Sequence, residues 1–408
     1  MSEVQLGDWV VIRVNEGAKF IITEVVESAT VRVLKKKQFK AVSLVGYKYG
    51  DYFELDKKGN ISIWDRSKNI QVTKINEDEY ESIGDNRNVK RNDPTVQSLS
   101  YEEIEELKNN DQIKGEEYIE RVASSNKSFS DKTVFSKEKY LKKKQQKHLS
   151  LFQILRPTSR TISEAYFSKT PSKIFFVRPD TLAQIINLAN ITSGDNVLIH
   201  ETCSGLVIGS VAERLSGNGN IISLFTEQEA PVHNALKCFN FPNQEIENTY
   251  FPIHFHQFEP LVNIPLSSFN EPFSDDFIFK NCKSSSLDTK KKIRNIMEDY
   301  VDNLIIASKF NPQDVLLELF KYLRGSGNLV IFHPHLEAIV ECHEMLHASN
   351  EAINIEIRET WFRDYQVLPL RTHPTMRMHG SSGYLLSAVK VVYTERNIKA
   401  PKNKKVKC

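Results

Sequence analysis

From Gly194 to Gly209 the chain reads Gly-Asp-Asn-Val-Leu-Ile-His-Glu-Thr-Cys-Ser-Gly-Leu-Val-Ile-Gly. An apolar strand, a tight turn and a helix start, in that order, are how an α/β sheet turns backbone N–H groups toward a nucleotide-like ligand. Glu201 and Gly205 occupy the turn, but Cys203 and Val207 stand where further glycines would let a ligand approach the backbone. A second candidate is His343-Glu344-Met345-Leu346-His347, two histidines one helical turn apart with a glutamate between them, which is zinc-peptidase spacing. No third ligand follows in the zincin manner, so the expectation is a helix with surface histidines and no metal site. His333-Pro334-His335 is likewise expected to be a strand-to-helix turn.

These residues are positioned by an alternation of strands and helices. Strands are expected over 196–200, 220–225, 301–307, 328–332 and 353–359. Helices are expected over 182–189, 205–215, 230–238, 312–323 and 335–347, and a final hairpin around 380–393. Strands alternating with helices of this length imply a doubly wound, mainly parallel sheet, and closure by an antiparallel hairpin is the pattern of class I methyltransferases. Residues 260–295, with Pro260, Pro265 and Pro272 and a Ser/Lys-rich run, fit no element and read as a mobile surface insertion.

In such a sheet the ligand sits beyond the carboxyl ends of the strands, and each place where a methyltransferase needs a particular residue is altered. The loop after the first strand wants glycines at alternating positions near the methionyl part of S-adenosylmethionine, yet Cys203 and Val207 are there. The carboxylate that should accept hydrogen bonds from the ribose hydroxyls falls at Phe225, with Glu227 and Glu229 as substitutes only if the register is off by two. The expected catalytic acid falls at Ala307, which exchanges no proton, and Lys309 brings positive charge to where a sulfonium would lie. Glu201, Cys203, Gly205, Val207, Phe225 and Ala307 thus describe a degenerate cofactor site, with no catalytic residue and no bound cofactor expected.

The chain has 408 residues, beyond the usual size of one hydrophobic core, with 40% hydrophobic and 10% aromatic residues. No apolar run approaches a membrane span, and residues 1–6 do not resemble a secretory signal. Five cysteines, widely spaced and without a CxxC pair, read as reduced, buried thiols. Residues 1–75 hold six or so short Val-, Ile- and Phe-rich segments with turns such as Asp56-Lys57-Lys58-Gly59-Asn60, the pattern of a small closed or half-closed barrel. Residues 76–170 read as a charged helical linker. It opens one helix at Ser100-Tyr101-Glu102-Glu103, with a serine N-cap and glutamates in the first turn. Residues 171–395 form the methyltransferase-like domain and 396–408 a basic tail.

Net charge is only +2, so it is the clustering of basic residues that carries information. In 136–148 Lys137, Lys139, Lys142, Lys143, Lys144 and Lys147 stand against one glutamate. At helical spacing they repel one another, which an anionic partner would relieve. Phe135 and Tyr140 could add stacking. Lys35, Lys36, Lys37 and Lys40 are either a charged edge that blocks aggregation or a second phosphate contact.

Several long blocks resemble the non-catalytic, RNA-binding subunit of the eukaryotic tRNA (adenine-N1) methyltransferases that modify the T-loop adenine. They are Phe135 to Lys144, Lys173-Ile-Phe-Phe-Val-Arg-Pro-Asp-Thr-Leu-Ala-Gln184, Cys203 to Val207, Glu359-Thr-Trp-Phe-Arg-Asp-Tyr-Gln-Val-Leu-Pro369 and Arg371-Thr-His-Pro-Thr-Met-Arg-Met378. The resemblance is weaker in the first 90 residues and in the insertion. It implies an α/β, Rossmann-like fold after an N-terminal β-barrel. It also implies a paralogous catalytic partner that alone binds S-adenosylmethionine, a heterotetramer of two plus two, and tRNA crossing both subunit types. On that reading the lysines above and Arg371, His373 and Arg377 hold tRNA phosphates, and the lysine-rich tail is compatible with nuclear localisation. Two alternatives stay open: an autonomous methyltransferase with an atypical site, and a scaffold that adds no tRNA affinity.

Overall fold

β-Branched and aromatic residues make the first strands: β1 (Trp9–Val14), β2 (Lys19–Glu24), β3 (Thr30–Leu34), β4 (Lys37–Lys40), β5 (Tyr52–Leu55) and β6 (Ile61–Ile63). The computed structural model describes residues 3–15, 19–34, 37–56, 58–64, 98–100, 102–103, 121–126, 129, 137, 140–141, 151–228, 231–263, 287–367, 372–376, 378 and 380–392. The chain divides into two units, 1–156 and 157–408.

In the first unit five strands form an antiparallel sheet in the order β2-β1-β7-β5-β6. Its middle strand is β7 (Leu151–Leu155), which pairs with Val11–Val14 on one side and Tyr52–Glu54 on the other. The expected linker over 76–170 is therefore corrected at its end, because residues 151–155 complete the first sheet and the chain from Pro157 belongs to the second unit. The reason is packing: Phe152 is buried and stacks on Phe39 at 5.0 Å and on Phe53 at 5.3 Å. The ribbon β3–β4 sends Val31, Val33 and Phe39 into the same core. The described pairings leave the five-stranded sheet open. β4 ends at Lys40, and Ala41–Leu44 is one 3-10 turn. In the β5–β6 hairpin the Asp56 carboxylate accepts from the Asn60 backbone N–H at 2.7 Å. Ser100 is the expected N-cap, and Glu103 makes the cap reciprocal: Ser100 N–H donates to the Glu103 carboxylate at 2.7 Å and Glu103 N–H to Ser100 Oγ at 3.1 Å.

The second unit begins with α1 (Ser159–Lys169), opened by a Thr158–Thr161 capping box, and α2 (Pro179–Leu188), with proline in its first turn. Then follow β8 (Asn196–Glu201), α3 (Leu206–Leu215), β9 (Asn220–Phe225), α4 (Asn234–Lys237), α5 (Asn243–Thr249), β10 (Tyr250–His254), α6 (Phe255–Asn263) and α7 (Leu287–Ile296). The chain continues through β11 (Val301–Ala307), α8 (Pro312–Leu319), β12 (Leu323–His333), α9 (Leu336–Ser349), β13 (Ala352–Trp361), β14 (Tyr365–Gln366), β15 (His373–Pro374) and β16 (Ser381–Lys390).

Seven of these strands form one sheet in the order β10-β9-β8-β11-β12-β16-β13. β8 to β12 are parallel, and β16 lies antiparallel between β12 and β13. The chain steps outward from β8 and then returns to β11 on its other side, so the direction of winding switches between β8 and β11. The fold is the expected mixed α/β, Rossmann-like sheet. Its continuous apolar strands, such as Leu304-Ile305-Ile306, are buried because helices cover them, each side chain contributing about 1.5–3 kcal/mol.

Several expectations change: the helix expected over 230–238 is the short α4, and β12 begins at Leu323, inside the helix expected over 312–323. β10 lies where no strand is expected, because Pro252 interrupts its apolar run, and the proline is tolerated because β10 is an edge strand. The hairpin expected within 380–393 is one strand, β16, whose partner is β13 across the small ribbon β14–β15. The insertion is narrower than 260–295, since α6 runs to Asn263 and α7 begins at Leu287, and residues 264–286 lie outside the described set. Among the described residues no helix is long and apolar enough to cross a membrane.

Candidate functional site

The turn after β8 is built around Glu201. Its carboxylate accepts from Gly205 N–H at 2.5 Å and from Val207 N–H at 3.1 Å, so it satisfies the first turn of α3 from below. Ser204 and Gly205 both take left-handed backbone angles, φ +58° and +83°. Cys203 is buried, and its Sγ donates to the Ala307 carbonyl at 3.3 Å. Thr202 N–H donates to the same carbonyl at 3.0 Å, so the loop is tied to the end of β11.

What lies over the glycine is decisive. A Cβ on Gly205 would stand 2.5 Å from His233 Cβ and 2.9 Å from Leu236 Cβ, and one on Gly209 would stand 2.3 Å from the Phe239 ring. Ala235 N–H donates to the Ser204 carbonyl at 3.0 Å, which pins α4 and its flanks onto the loop. On the side where a Cβ would stand, the space beside Gly205 in the loop and Gly209 in α3 is filled by the chain itself. The sequence placed the obstruction at Cys203 and Val207, but both are buried in their own turn and helix, and His233, Leu236 and Phe239 do the covering.

The other two expected places lie at strand ends and are closed to solvent. Phe225 is buried at the end of β9, edge-on to His254 at 5.5 Å. Glu227 is exposed and its carboxylate accepts from Thr226 N–H at 3.2 Å, while Glu229 lies outside the described residues. Ala307 is fully buried. The residues present do not fit S-adenosylmethionine: packed side chains stand against Gly205 and Gly209, and where a ribose carboxylate and a catalytic acid were expected the strands end in a buried phenyl ring and a buried methyl group.

Burial also sets the protonation of the covered site. It pushes the Glu201 carboxyl up to about 7 against the opposing pull of the Val207 and Gly205 N–H groups. It pushes His233 down to about 4. The two approach to 4.0 Å, Nδ1 to Oε1, and His233 Nδ1 has no hydrogen-bond partner among the described residues. Burial pushes the Cys203 thiol well up, so it is no nucleophile.

Arg178 lacked an assigned role in the sequence, yet it locks the sheet's last pair of strands. Buried, it holds Asp180 through Nε and Nη2 at 2.5 and 2.9 Å. It also donates to the carbonyls of Thr360 at 3.1 Å and Gly380 at 3.2 Å, and lies 5.4 Å from the Phe362 ring centre. Beyond this clamp an apolar surface is open to solvent, with Trp361 61%, Tyr365 55% and Met376 85% exposed and Phe176 and Phe362 nearly half exposed. The sequence signal was the density of aromatic residues in Trp361-Phe362-Arg363-Asp364-Tyr365.

Of the expected RNA contacts, Lys37 is half-buried with its Nζ donating to the Leu55 carbonyl at 3.2 Å, whereas Lys40 is exposed at the end of β4. Lys137 Nζ stands 6.0 Å from the Phe129 ring centre, and Phe129 packs against Tyr140 at 5.6 Å. His373 is exposed on β15, its Nδ1 3.0 Å from the Pro374 carbonyl. Lys35, Lys36, Lys139, Lys142, Lys143, Lys144, Lys147, Arg371 and Arg377 lie outside the described residues. His343 and His347 stack at 6.2 Å on α9, and no group of three or more His, Cys, Asp or Glu among the described residues is placed to hold a metal. His333 and His335 form the expected strand-to-helix turn, His335 N–H donating to His333 Nδ1 at 3.1 Å.

Comparison with known proteins adds a lineage to this geometry. The Gcd10p family matches residues 3–276. The non-catalytic subunit trm6 of tRNA (adenine(58)-N(1))-methyltransferase from Dictyostelium discoideum is 32% identical, the match covering 95% of this chain and 79% of that protein. The Mus musculus subunit of the same name is 30% identical, with 95% and 88% covered. Among solved structures, the tRNA (m1A58) methyltransferase TrmI from Aquifex aeolicus aligns over 96% of this chain and 100% of its own, at 13% identity and a TM-score of 0.47.

Proposed function

The chain belongs to the Gcd10p family, and from that membership we propose that it is the non-catalytic, tRNA-binding subunit of a tRNA adenine-N1 methyltransferase, acting beside a paralogous catalytic subunit. The observation that carries the reading is the covering of Gly205 and Gly209 by His233, Leu236 and Phe239. A domain that keeps the methyltransferase sheet but fills its cofactor loop with its own side chains contributes surfaces in place of chemistry. The test is a calorimetric titration of S-adenosylmethionine against the purified chain, with tRNA methylation assayed in parallel. The expected result is no binding and no methylation by the chain alone, with activity on adding the catalytic subunit; micromolar binding overturns the reading.

The mechanism is positioning. Lys35, Lys36, Lys37, Lys40, Lys137, Lys139, Lys142, Lys143, Lys144 and Lys147, with Arg371, His373 and Arg377, are assigned to tRNA phosphates, so that the target base reaches the partner's pocket. Lys40 and His373 are the exposed members among the described residues, and Lys37 reaches phosphate only by giving up the Leu55 carbonyl. The N-terminal unit is read as a half-closed barrel that presents Lys40 at a strand end. The exposed apolar surface at Trp361, Phe362, Tyr365 and Met376 supports a subunit contact, and a heterotetramer of two plus two is the assembly we assign to it. Sedimentation of the mixed subunits reads that stoichiometry directly. The lysine-rich tail 396–408 is assigned a nuclear-targeting role, to be checked by following a tagged chain that lacks it.

A further inference from the structure

The ends of four neighbouring strands carry a continuous run of rings that the covered cofactor loop does not use. Phe310, just past β11, lies over His200 near the end of β8 at 5.7 Å and 27° between ring planes. His200 meets Phe255 at 5.6 Å, Phe255 meets His256 at 6.3 Å, His256 meets His254 at 5.5 Å, and His254 meets Phe225 at 5.5 Å. Lys309 Nζ stands 5.4 Å from the centre of the Phe310 ring. This run follows β11, β8, β10 and β9 across the point where the winding direction switches, on the edge where open α/β sheets take their ligands.

Three features separate it from ordinary core packing. It reaches the surface, with Phe310 36% exposed, His256 and Lys309 exposed, and His254 and Phe255 half-buried. Its polar groups are one lysine and three imidazoles, with the carboxylate of Glu227 acting on His200 from the rim. Finally, His200 and Ser308 are each only 1% exposed, yet His200 Nε2 and Ser308 Oγ have no hydrogen-bond partner among the described residues. Buried polar atoms of a finished core are nearly always paired.

We propose that this edge is a stacking platform for an unpaired RNA base, with Lys309 on the adjoining phosphate. The proposal rests on the tRNA-binding reading and names a site for it apart from the lysine segments. Ring faces accept any base, so the platform adds affinity with little sequence preference, and the cation beside Phe310 supplies the charge that a backbone needs. An intact cofactor loop is not required, which is why the platform can persist where S-adenosylmethionine no longer fits.

The test uses the full chain, alone and assembled with its catalytic subunit, as wild type and as Phe310→Leu and Lys309→Gln. Probes are single-stranded adenosine and uridine RNA hexamers, an abasic ribose-phosphate hexamer, and tRNA. Expected for the wild type is tighter binding of both base-bearing hexamers than of the abasic one. Phe310→Leu should lose that preference and bind tRNA about tenfold more weakly, with an unchanged melting temperature. Lys309→Gln should weaken all three hexamers a few-fold and lower the salt slope by about one. Equal binding of the abasic hexamer, or no effect of Phe310→Leu, overturns the platform. A wild-type assembly that binds tRNA no better than the catalytic subunit alone overturns the tRNA-binding reading instead.

Discussion

Gly205 and Gly209 have neighbours, His233, Leu236 and Phe239, within distances at which a Cβ could not stand. Alanine at either position should cost more than about 2 kcal/mol, since the neighbours are packed side chains with nowhere to move and Gly205 also sits at φ +83°. Urea unfolding of the purified chain measures this. Restoring glycine at Cys203 and Val207 together should leave S-adenosylmethionine binding absent by calorimetry, because neither side chain is the obstruction. Glu201 adds a pH signature. Its folded value of about 7 lies above the ordinary 4.5, so its contribution to stability is full below pH 4.5 and is lost as pH rises through 7, by about 3 kcal/mol at most. His233 runs the other way, its contribution being present above pH 6.5 and lost as pH falls through about 4. Glu201→Gln removes the first effect only, so the stability of wild type relative to the variant should fall between pH 4.5 and 7 in unfolding titrations.

At the scale of elements, two long-range ties hold what the sequence separates. Arg178 joins the start of α2 to β13 and to Gly380 just before β16, and its guanidinium is buried with a bidentate carboxylate. Arg178→Ala should cost roughly 3–5 kcal/mol, because Asp180 and two carbonyls lose their donor together. Arg178→Lys should recover only part, since an ammonium lacks the fork; thermal melts compare the two. In the first unit, Phe152→Ala should cost about 3–5 kcal/mol and expose the N-terminal sheet to protease, although residue 152 falls in the segment that composition assigns to a linker. Much of this level was legible. β8, β9, β11 and β13 fall within one or two residues of their expected spans, whereas β12 begins five residues before 328, the closing hairpin is one strand and Pro252 hid an edge strand. β7 was not legible, because five residues bounded by a lysine-rich run carry too little pattern to reveal a partner more than a hundred residues away in sequence.

For the whole molecule, the proposed function rests on several surfaces in place of one pocket. Replacing Lys142, Lys143 and Lys144 by alanine should weaken tRNA binding by the assembled complex across all tRNA sequences and reduce the slope of log affinity against log salt by about two to three. Anisotropy titrations at several salt concentrations check this, and an unchanged slope would remove the segment from the interface. Affinity that disappears with charge but not with Phe310→Leu would separate the lysine segments from the ring platform.

The amino-acid sequence by itself determined the kind of fold and the loss of chemistry. Alternating strands and helices specify a doubly wound sheet, and a phenylalanine and an alanine at the ribose and acid positions are chemically inert wherever the chain runs. The folded chain alone decided what occupies the vacated places. His233, Leu236 and Phe239 close over glycines 28 to 31 residues earlier, and rings from the ends of four strands come into contact in one run that reaches the surface at Phe310 and His256. The physical reason is range: periodicity and turn chemistry act over a few neighbouring residues, whereas the covering of a loop depends on where the chain returns after a complete crossover, which packing of the whole core selects.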